Sequence, residues 1–289
     1  MLHCTQVRSN RMCAGAFSPV DRNTAYATHT YSGRELKRTT DCGKTWETIH
    51  TFPAKIHGRV ISDRYDAKRL FAASREKLWM TENSGKTFVS CSGPTGTMSG
   101  FYCSPSLPDG GRVFFFSSDK GLWRSRDGRQ YSPCTNGLAS SQILSLAGAS
   151  GTRTTRIYVS TPTSVKDGKL EGGIFRSDDF GETWQRVMNE GLNLDTRSYD
   201  RWASGSHPIY THLLACDADP DRVYAFNTNT AIAPPHHCSC YRSDDAGETW
   251  ESVYQADPRW SPCNVDLSYV ECEDGQHYQS APFGVAIDP

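Results

Sequence analysis

Ser243-Asp244-Asp245-Ala246-Gly247-Glu248-Thr249-Trp250 decides the fold of this chain. A hydroxyl residue is followed by Asp, Gly and Thr at alternate positions, and Trp closes the run. Residues 177–184 repeat it with Asp179, Gly181, Thr183 and Trp184. Residues 39–46 repeat it again with Asp41, Gly43, Thr45 and Trp46. Residues 81–88 carry Asn83 for Asp, keep Gly85, and end in Phe88. A fifth copy, residues 125–131, is one residue shorter, with Asp127, Gly128 and a closing Tyr131. Successive Asp positions lie 42, 44, 52 and 66 residues apart. Self-similarity at a fixed period of this size marks a repeat architecture.

Working outward, each copy follows a short strand such as Gly173-Ile174-Phe175-Arg176 or Cys240-Tyr241-Arg242. Upstream lies a second strand with an aromatic anchor: Tyr26, Phe71, Phe115, Tyr158 or Tyr224. An apolar strand running into a polar turn precedes that, and a short strand such as Gln185-Arg186-Val187 follows the motif. Each unit therefore reads as four antiparallel strands, A to D, with the motif as the C–D turn. Units of this kind recurring every 40–50 residues or so are the signature of a β-propeller blade. The expected fold is all-β: a propeller of four-stranded antiparallel blades, five complete and a sixth beginning. Their expected spans are 13–50, 57–92, 99–134, 142–188 and 211–254, with the next blade starting at 281–289. Together they form one incomplete propeller domain, of six to eight blades when whole.

The motif's residue types are explained by the turn. Asp accepts backbone N–H bonds in tight turns. Gly takes a positive φ without strain. Trp supplies a large apolar surface to bury between sheets. A catalytic carboxylate is not needed five times over, so Asp41, Asp179 and Asp245 are expected to be structural.

The totals exclude several classes. The chain has 289 residues, net charge −1 and pI about 6.7, so no basic stripe argues for nucleic acid. No apolar run is long enough to span a bilayer. The N-terminus, Met1-Leu2-His3-Cys4, shows no signal-peptide core. Eleven Cys admit two readings. One is an exported protein with local disulfides, such as Cys91 with Cys103 and Cys263 with Cys272. The other is a reduced protein in which Cys13 and Cys216 are small core residues. His236-His237-Cys238-Ser239-Cys240 has zinc-ligand residue types, but no second cluster stands at ligand spacing. Neither a metal nor a cofactor is expected.

The eight-residue pattern resembles the Asp-box, or BNR, repeat of sialidases, xyloglucan-cleaving endoglucanases, sortilin-type receptor ectodomains and a photosystem II assembly factor. The resemblance covers nearly the whole chain. It implies that Asp41, Gly43, Trp46, Asn83, Gly85, Asp127, Asp179, Gly181, Trp184, Asp245, Gly247 and Trp250 are structural Asp-box residues, on the face opposite any active site. It also implies a setting that is extracellular or periplasmic. The sialidase aromatic-Arg-Ile-Pro segment and arginine triad are not found, so no family catalytic residue maps onto this chain.

The long connections fall in the fourth and fifth units, on the face away from the motif. Long loops on a rigid scaffold are where function concentrates. They carry carboxylates beside aromatics, a combination that suits glycans: rings stack on sugar faces, and paired acids cleave a glycosidic bond. By placement and residue type, Asp200 and Glu271 are the candidate acids. Arg201 and His207 are candidate orienters, and Trp202, Trp260 and Tyr278 candidate sugar contacts. The expected function is a glycan-directed, glycoside hydrolase-like propeller acting on a polysaccharide or glycoconjugate. The alternative is a non-catalytic propeller that binds protein or glycan.

Overall fold

A computed structural model describes residues 12–29, 33–56, 60–151, 154–192, 194, 208–227, 239–254, 269–271 and 277–279. Five four-stranded sheets follow one another along the chain. The first holds β1 (Met12–Phe17), β2 (Ala25–His29), β3 (Glu35–Thr39) and β4 (Glu47–Thr51). The second holds β5 (Val60–Ser62), β6 (Leu70–Ala73), β7 (Leu78–Thr81) and β8 (Val89–Ser90). The third holds β9 (Met98–Cys103), β10 (Phe114–Ser118), β11 (Gly121–Ser125) and β12 (Ser132–Pro133). The fourth holds β13 (Ser145–Ser150), β14 (Thr155–Lys166), β15 (Lys169–Ser177) and β16 (Gln185–Arg186). The fifth holds β17 (Tyr210–Cys216), β18 (Asp219–Asn227), β19 (Ser239–Ser243) and β20 (Glu251–Tyr254). A separate hairpin pairs β21 (Tyr269–Glu271) with β22 (His277–Gln279). In every sheet the strands pair antiparallel in chain order, so each is one blade, with the A to D order read from the sequence. The expected sixth-blade start, 281–289, lies outside the described residues.

The chain divides into two compact units, residues 1–133 and 134–289. Within the first, the core lies between blades. Successive side chains of a strand point to opposite faces, and β6 uses both. Leu70 and Ala72 pack with Tyr26, Leu36, Phe52 and Ile56 of the first blade region. Phe71 and Ala73 pack with Cys103, Phe114 and Phe116 of the third. Central strands buried on both faces read as continuous apolar runs rather than alternating ones. In the second unit, Tyr158, Ile174 and Val187 pack with Leu213, Val223, Tyr241 and Trp250.

An arginine stands two residues before the aromatic of strand B in three blades, Arg69, Arg156 and Arg222, and Arg112 stands three residues before Phe115 in the third blade. In the first unit Arg112 clasps the buried Asp63 carboxylate through both guanidinium nitrogens, at 2.5 and 2.7 Å. Arg69 reaches the same carboxylate at 3.4 Å. In the second unit Arg156 pairs with Asp178 and Asp221, and Arg222 with Asp244 and Asp219.

Candidate functional site

The motif turns have one geometry. Ser243 Oγ donates to Asp245 Oδ1 at 2.7 Å and accepts the Gly247 N–H at 2.7 Å. Asp245 also accepts the Thr249 N–H at 2.9 Å and the Thr249 hydroxyl at 2.6 Å. The copies at Asp41 and Asp179 make the same bonds. The turn closes through two successive left-handed residues, Ala246 (φ 62°) and Gly247 (φ 92°). Cys42, Ser84 and Phe180 hold the Ala246 place at φ 58–59°. The short copy drops one of these residues and keeps only Gly128 (φ 75°). Asn83 keeps the turn by reversing one bond: its Nδ2 donates to Thr87 Oγ1 at 2.8 Å.

The hydroxyl bond from Thr45 leads the causes that hold the Asp41 carboxyl down at about 2. At Asp179 and Asp245 burial pushes upward, but hydrogen bonds from Thr183 and Thr249 outweigh it and leave both lowered. Saturated carboxylates of this kind are poor general acids. The N–H groups of Cys42, Ser84 and Ala246 bond carbonyls of the A–B turns (Asn23, Lys68 and Asp221). The motif and the A–B turn thus share one end of the blade.

The closing tryptophan acts differently from copy to copy. Trp250 is 6% exposed, and its Nε1 donates to the Val187 carbonyl of the fourth blade at 2.9 Å. Val187 fills the space over Gly247, where an added Cβ would lie 2.8 Å from the valine Cβ. Trp184 donates to the Cys134 carbonyl at 2.8 Å and is half-buried. Trp46 is half-buried and, among the described residues, donates to its own Gly43 carbonyl, at 3.1 Å. Full burial of every closing tryptophan therefore does not hold.

A cleft of about 300 Å³ opens beside the fifth motif, lined by Arg242, Asp244, Asp245, Thr249, Trp250 and Glu251. Its acids are engaged: Asp244 with Arg222 and Arg242, Asp245 with Ser243 and Thr249, Glu251 with Arg242. The bond from Arg222 leads in holding the Asp244 carboxyl low.

The other end of the second unit carries the long connections. β14 and β15 extend past the blade as a hairpin closed by Asp167 (φ 49°) and Gly168 (φ 73°). A register shift between Thr161 and Ser164 bends it, opposite Gly172 (φ 76°). A Cβ at Gly172 would fall 2.1 Å from the Pro162 carbonyl oxygen. Arg186 of β16 grips the bend, donating to the Gly172 and Leu170 carbonyls at 2.8 and 2.9 Å. The tip displays Lys166, Asp167 and Lys169, with Glu171 beside them.

Asp200, Arg201, Trp202, His207 and Trp260 lie outside the described residues, as do His236, His237 and Cys238. Glu271 and Tyr278 fall on the β21–β22 hairpin, where Glu271 pairs His277 and Val270 pairs Tyr278 through the backbone. His212, read from sequence only as part of a strand, is a further titratable group on inner strand β17. Its Nδ1 lies 2.9 Å from Thr211 Oγ1, and burial lowers its pKa, favouring the neutral ring.

Cys42, Cys91, Cys103, Cys134, Cys216 and Cys240 are free thiols. The Cys91–Cys103 disulfide is thus corrected: both belong to the apolar packing between the second and third blades. Burial pushes each up to about 12. Among the described residues, no group of three or more His, Cys, Asp or Glu could hold a metal ion. Nor is there among them a helix long and apolar enough to cross a membrane.

Residues 174–187, which contain the fourth motif, match the family model of the BNR-Asp box repeat. The chain carries an Asp-box repeat of this kind on a β-propeller fold. Solved structures agree on that fold. A GH74 enzyme from Niastella koreensis superposes with a TM-score of 0.58 at 16% identity, over 84% of this chain and 38% of that one. An ancestral GH74 enzyme gives 0.58 at 13% identity, over 88% and 34%. YCF48, solved bound to a D1 peptide, gives 0.52 at 17% identity, over 86% and 69%. The propeller spans little more than a third of either GH74 chain. At these identities the likeness speaks for the fold alone. No curated protein matches the sequence.

Proposed function

We propose that this propeller is glycan-directed and acts at the end opposite its Asp-boxes. One observation carries the reading. The acids lining the cleft at the box end are consumed by hydroxyls and arginines, whereas the long connections of the second unit leave from the other end, beside the projecting β14–β15 hairpin. On this reading Asp200 and Glu271 act as the acid pair on a glycosidic bond. Such carboxyls stand about 5–5.5 Å apart in retaining enzymes and about 6.5–9.5 Å apart in inverting ones. Arg201 and His207 orient the sugar, and Trp202, Trp260 and Tyr278 stack on it. The substrate is a polysaccharide or glycoconjugate, and the protein works outside the cytoplasm, in an extracellular or periplasmic space. Likeness to GH74 enzymes supports the class of substrate.

A glycan array paired with a hydrolysis screen tests this. Asp200→Ala is expected to abolish turnover and keep binding, and Trp202→Ala to weaken binding at least tenfold. If both variants bind and cleave like the parent, the assignment is wrong. The non-catalytic alternative also has an observation in its favour: among the described residues, no acid lining the cleft is left unengaged. Binding without turnover by the parent chain would decide for that reading.

A further inference from the structure

The near-zero net charge of the chain conceals two opposite halves. Residues 1–133 hold 20 Lys and Arg against 11 Asp and Glu, a net of +9. Residues 134–289 hold 11 against 21, a net of −10. A sign asymmetry of this size between halves of one chain points to a charged partner.

The asymmetry is written into the motif turn. The residue after the motif glycine is basic in all three blades of the first unit: Lys44, Lys86 and Arg129. It is acidic in both blades of the second: Glu182 and Glu248. All five are exposed. The A–B turn beside the motif follows the same rule. In the second blade the Ser84 N–H bonds the carbonyl of exposed Lys68 at 2.9 Å, and in the fifth the Ala246 N–H bonds that of Asp221 at 2.7 Å. One backbone geometry thus presents opposite charge in the two units, and its hydrogen bonds require neither sign.

Pairing inside the first unit does not neutralise these lysines. Arginines hold the acids at this end: Arg38 holds Glu47, Arg112 holds Asp63, and Arg69 reaches Asp66 and Glu82. Asp41 and Asp127 are bonded within their own turns. Lys44, Lys68 and Lys86 have no ion-pair partner among the described residues. Their turns stand at the ends of strands, away from the sheet faces through which blades pack, so blade packing leaves them in solvent.

We propose that Lys44, Lys68 and Lys86 form a binding surface for an acidic polysaccharide, one bearing carboxylate or sulfate groups, laid across the Asp-box end of the first unit. A polymer suits this surface because the same cation recurs from blade to blade, as charge recurs along an acidic chain. Lysine is a hydrated point charge without a bidentate fork, so it responds to charge density rather than to one group. Nucleic-acid surfaces favour arginine forks, and here the arginines are engaged with acids. The choice of a polysaccharide rests on the glycan-directed reading above. The charge of the surface does not, and it uses neither Asp200 nor Glu271.

The probes are heparin for the sulfated class and polygalacturonate for the carboxylated class, titrated into the full chain by calorimetry at low and physiological salt. Dextran is the neutral control. At least one acidic probe is expected to bind, dextran not to bind, and affinity to fall steeply as salt rises. The triple variant Lys44→Gln, Lys68→Gln and Lys86→Gln should bind at least tenfold more weakly. It should flatten the slope of log affinity against log salt by about two, since each lost cation contact removes roughly 0.7–0.9. Its melting temperature should match the parent's, because all three side chains are exposed. A matched variant, Lys55→Gln, Lys77→Gln and Lys120→Gln, removes three exposed cations from the opposite end of the same unit and should bind within twofold of the parent. No binding of either acidic probe, equal binding by the first variant, or equal weakening by the matched one would overturn the proposal. Duplex DNA that displaces the polysaccharide and binds more tightly would assign the surface to nucleic acid and end the polysaccharide reading. Trp202→Ala separates this surface from the proposed loop site: it should leave both probes bound as by the parent, and loss of probe binding there would move the polyanion to the loops and overturn the assignment.

Discussion

The two units join their blades through arginines near the start of strand B, placed in different surroundings. Between the second and third blades, Arg112 and Arg69 converge on Asp63, whose side chain is wholly buried. Between the fourth and fifth, Arg156 meets Asp178 and Asp221, which are 47% and 52% exposed. Exposed pairs are screened by water and contribute little. A buried pair is costly to break, because the surviving charge stays in a low-dielectric setting without compensation. Equal motifs therefore do not make equal joints. The first unit depends on a few groups that cannot be lost singly, and the second spreads its charge contacts over a wet rim.

The largest test of that contrast is Asp63→Ala, which leaves Arg112 among apolar neighbours. A loss of about 3–5 kcal/mol is expected in denaturant titration, and a loss under about 1 kcal/mol would equate the two joints. Next come the tryptophans. Trp250→Ala should cost about 3–5 kcal/mol, as a buried aromatic truncation does. Trp46→Ala, at a half-buried position, should cost less than about 2 kcal/mol by the smaller area it covers.

Asp245→Ala should cost about 1–2 kcal/mol in lost turn hydrogen bonds. Asp245→Asn should cost less, because Asn83 already runs the same turn with one bond reversed. The same exchange affects acid stability. A carboxyl held low in the fold contributes stability that is complete above its unfolded pKa and is lost as pH falls toward the folded value. For Asp41 that window runs from about 4 in the unfolded chain to about 2 folded. The triple variant carrying Asn at Asp41, Asp179 and Asp245 should show a flatter loss of melting temperature between those values. The smallest effect is Arg222→Ala. Its partners are 40% and 44% exposed, and no resolvable change in melting temperature is expected.

The blades were legible because their cause is local. The alternating hydroxyl, Asp, Gly and Thr of residues 243–250 close their hydrogen bonds within the stretch itself, so spacing alone reveals them. The joints were less legible because their partners are remote: Asp63 and Arg112 stand 49 residues apart. A signal was nevertheless present, in the arginine that stands two or three residues before the strand-B aromatic in four of the five blades. The packing of one blade over the next motif was written in the sequence too, three places after the closing aromatic, but Ile49 and Val187 look like ordinary apolar residues until seen over Gly85 and Gly247. Glycan chemistry has no such spacing. Asp200 and Glu271 were chosen by loop placement and residue type, with no short-range hydrogen-bond pattern to fix their geometry.

The alternation along β6, one side chain to each neighbouring blade, also bears on how the protein breathes. A blade in such an array is held by what stands on either side of it, so opening should spread from a face that lacks a neighbour, much as a stack loosens from its end. The second blade is gripped on both faces by Leu70 and Ala72 on one side and Phe71 and Ala73 on the other. The first blade presents Phe17 and Val20 to solvent. In native-state hydrogen exchange, the amides of β2 and β3 should therefore open at lower free energy than those of β6 and β7.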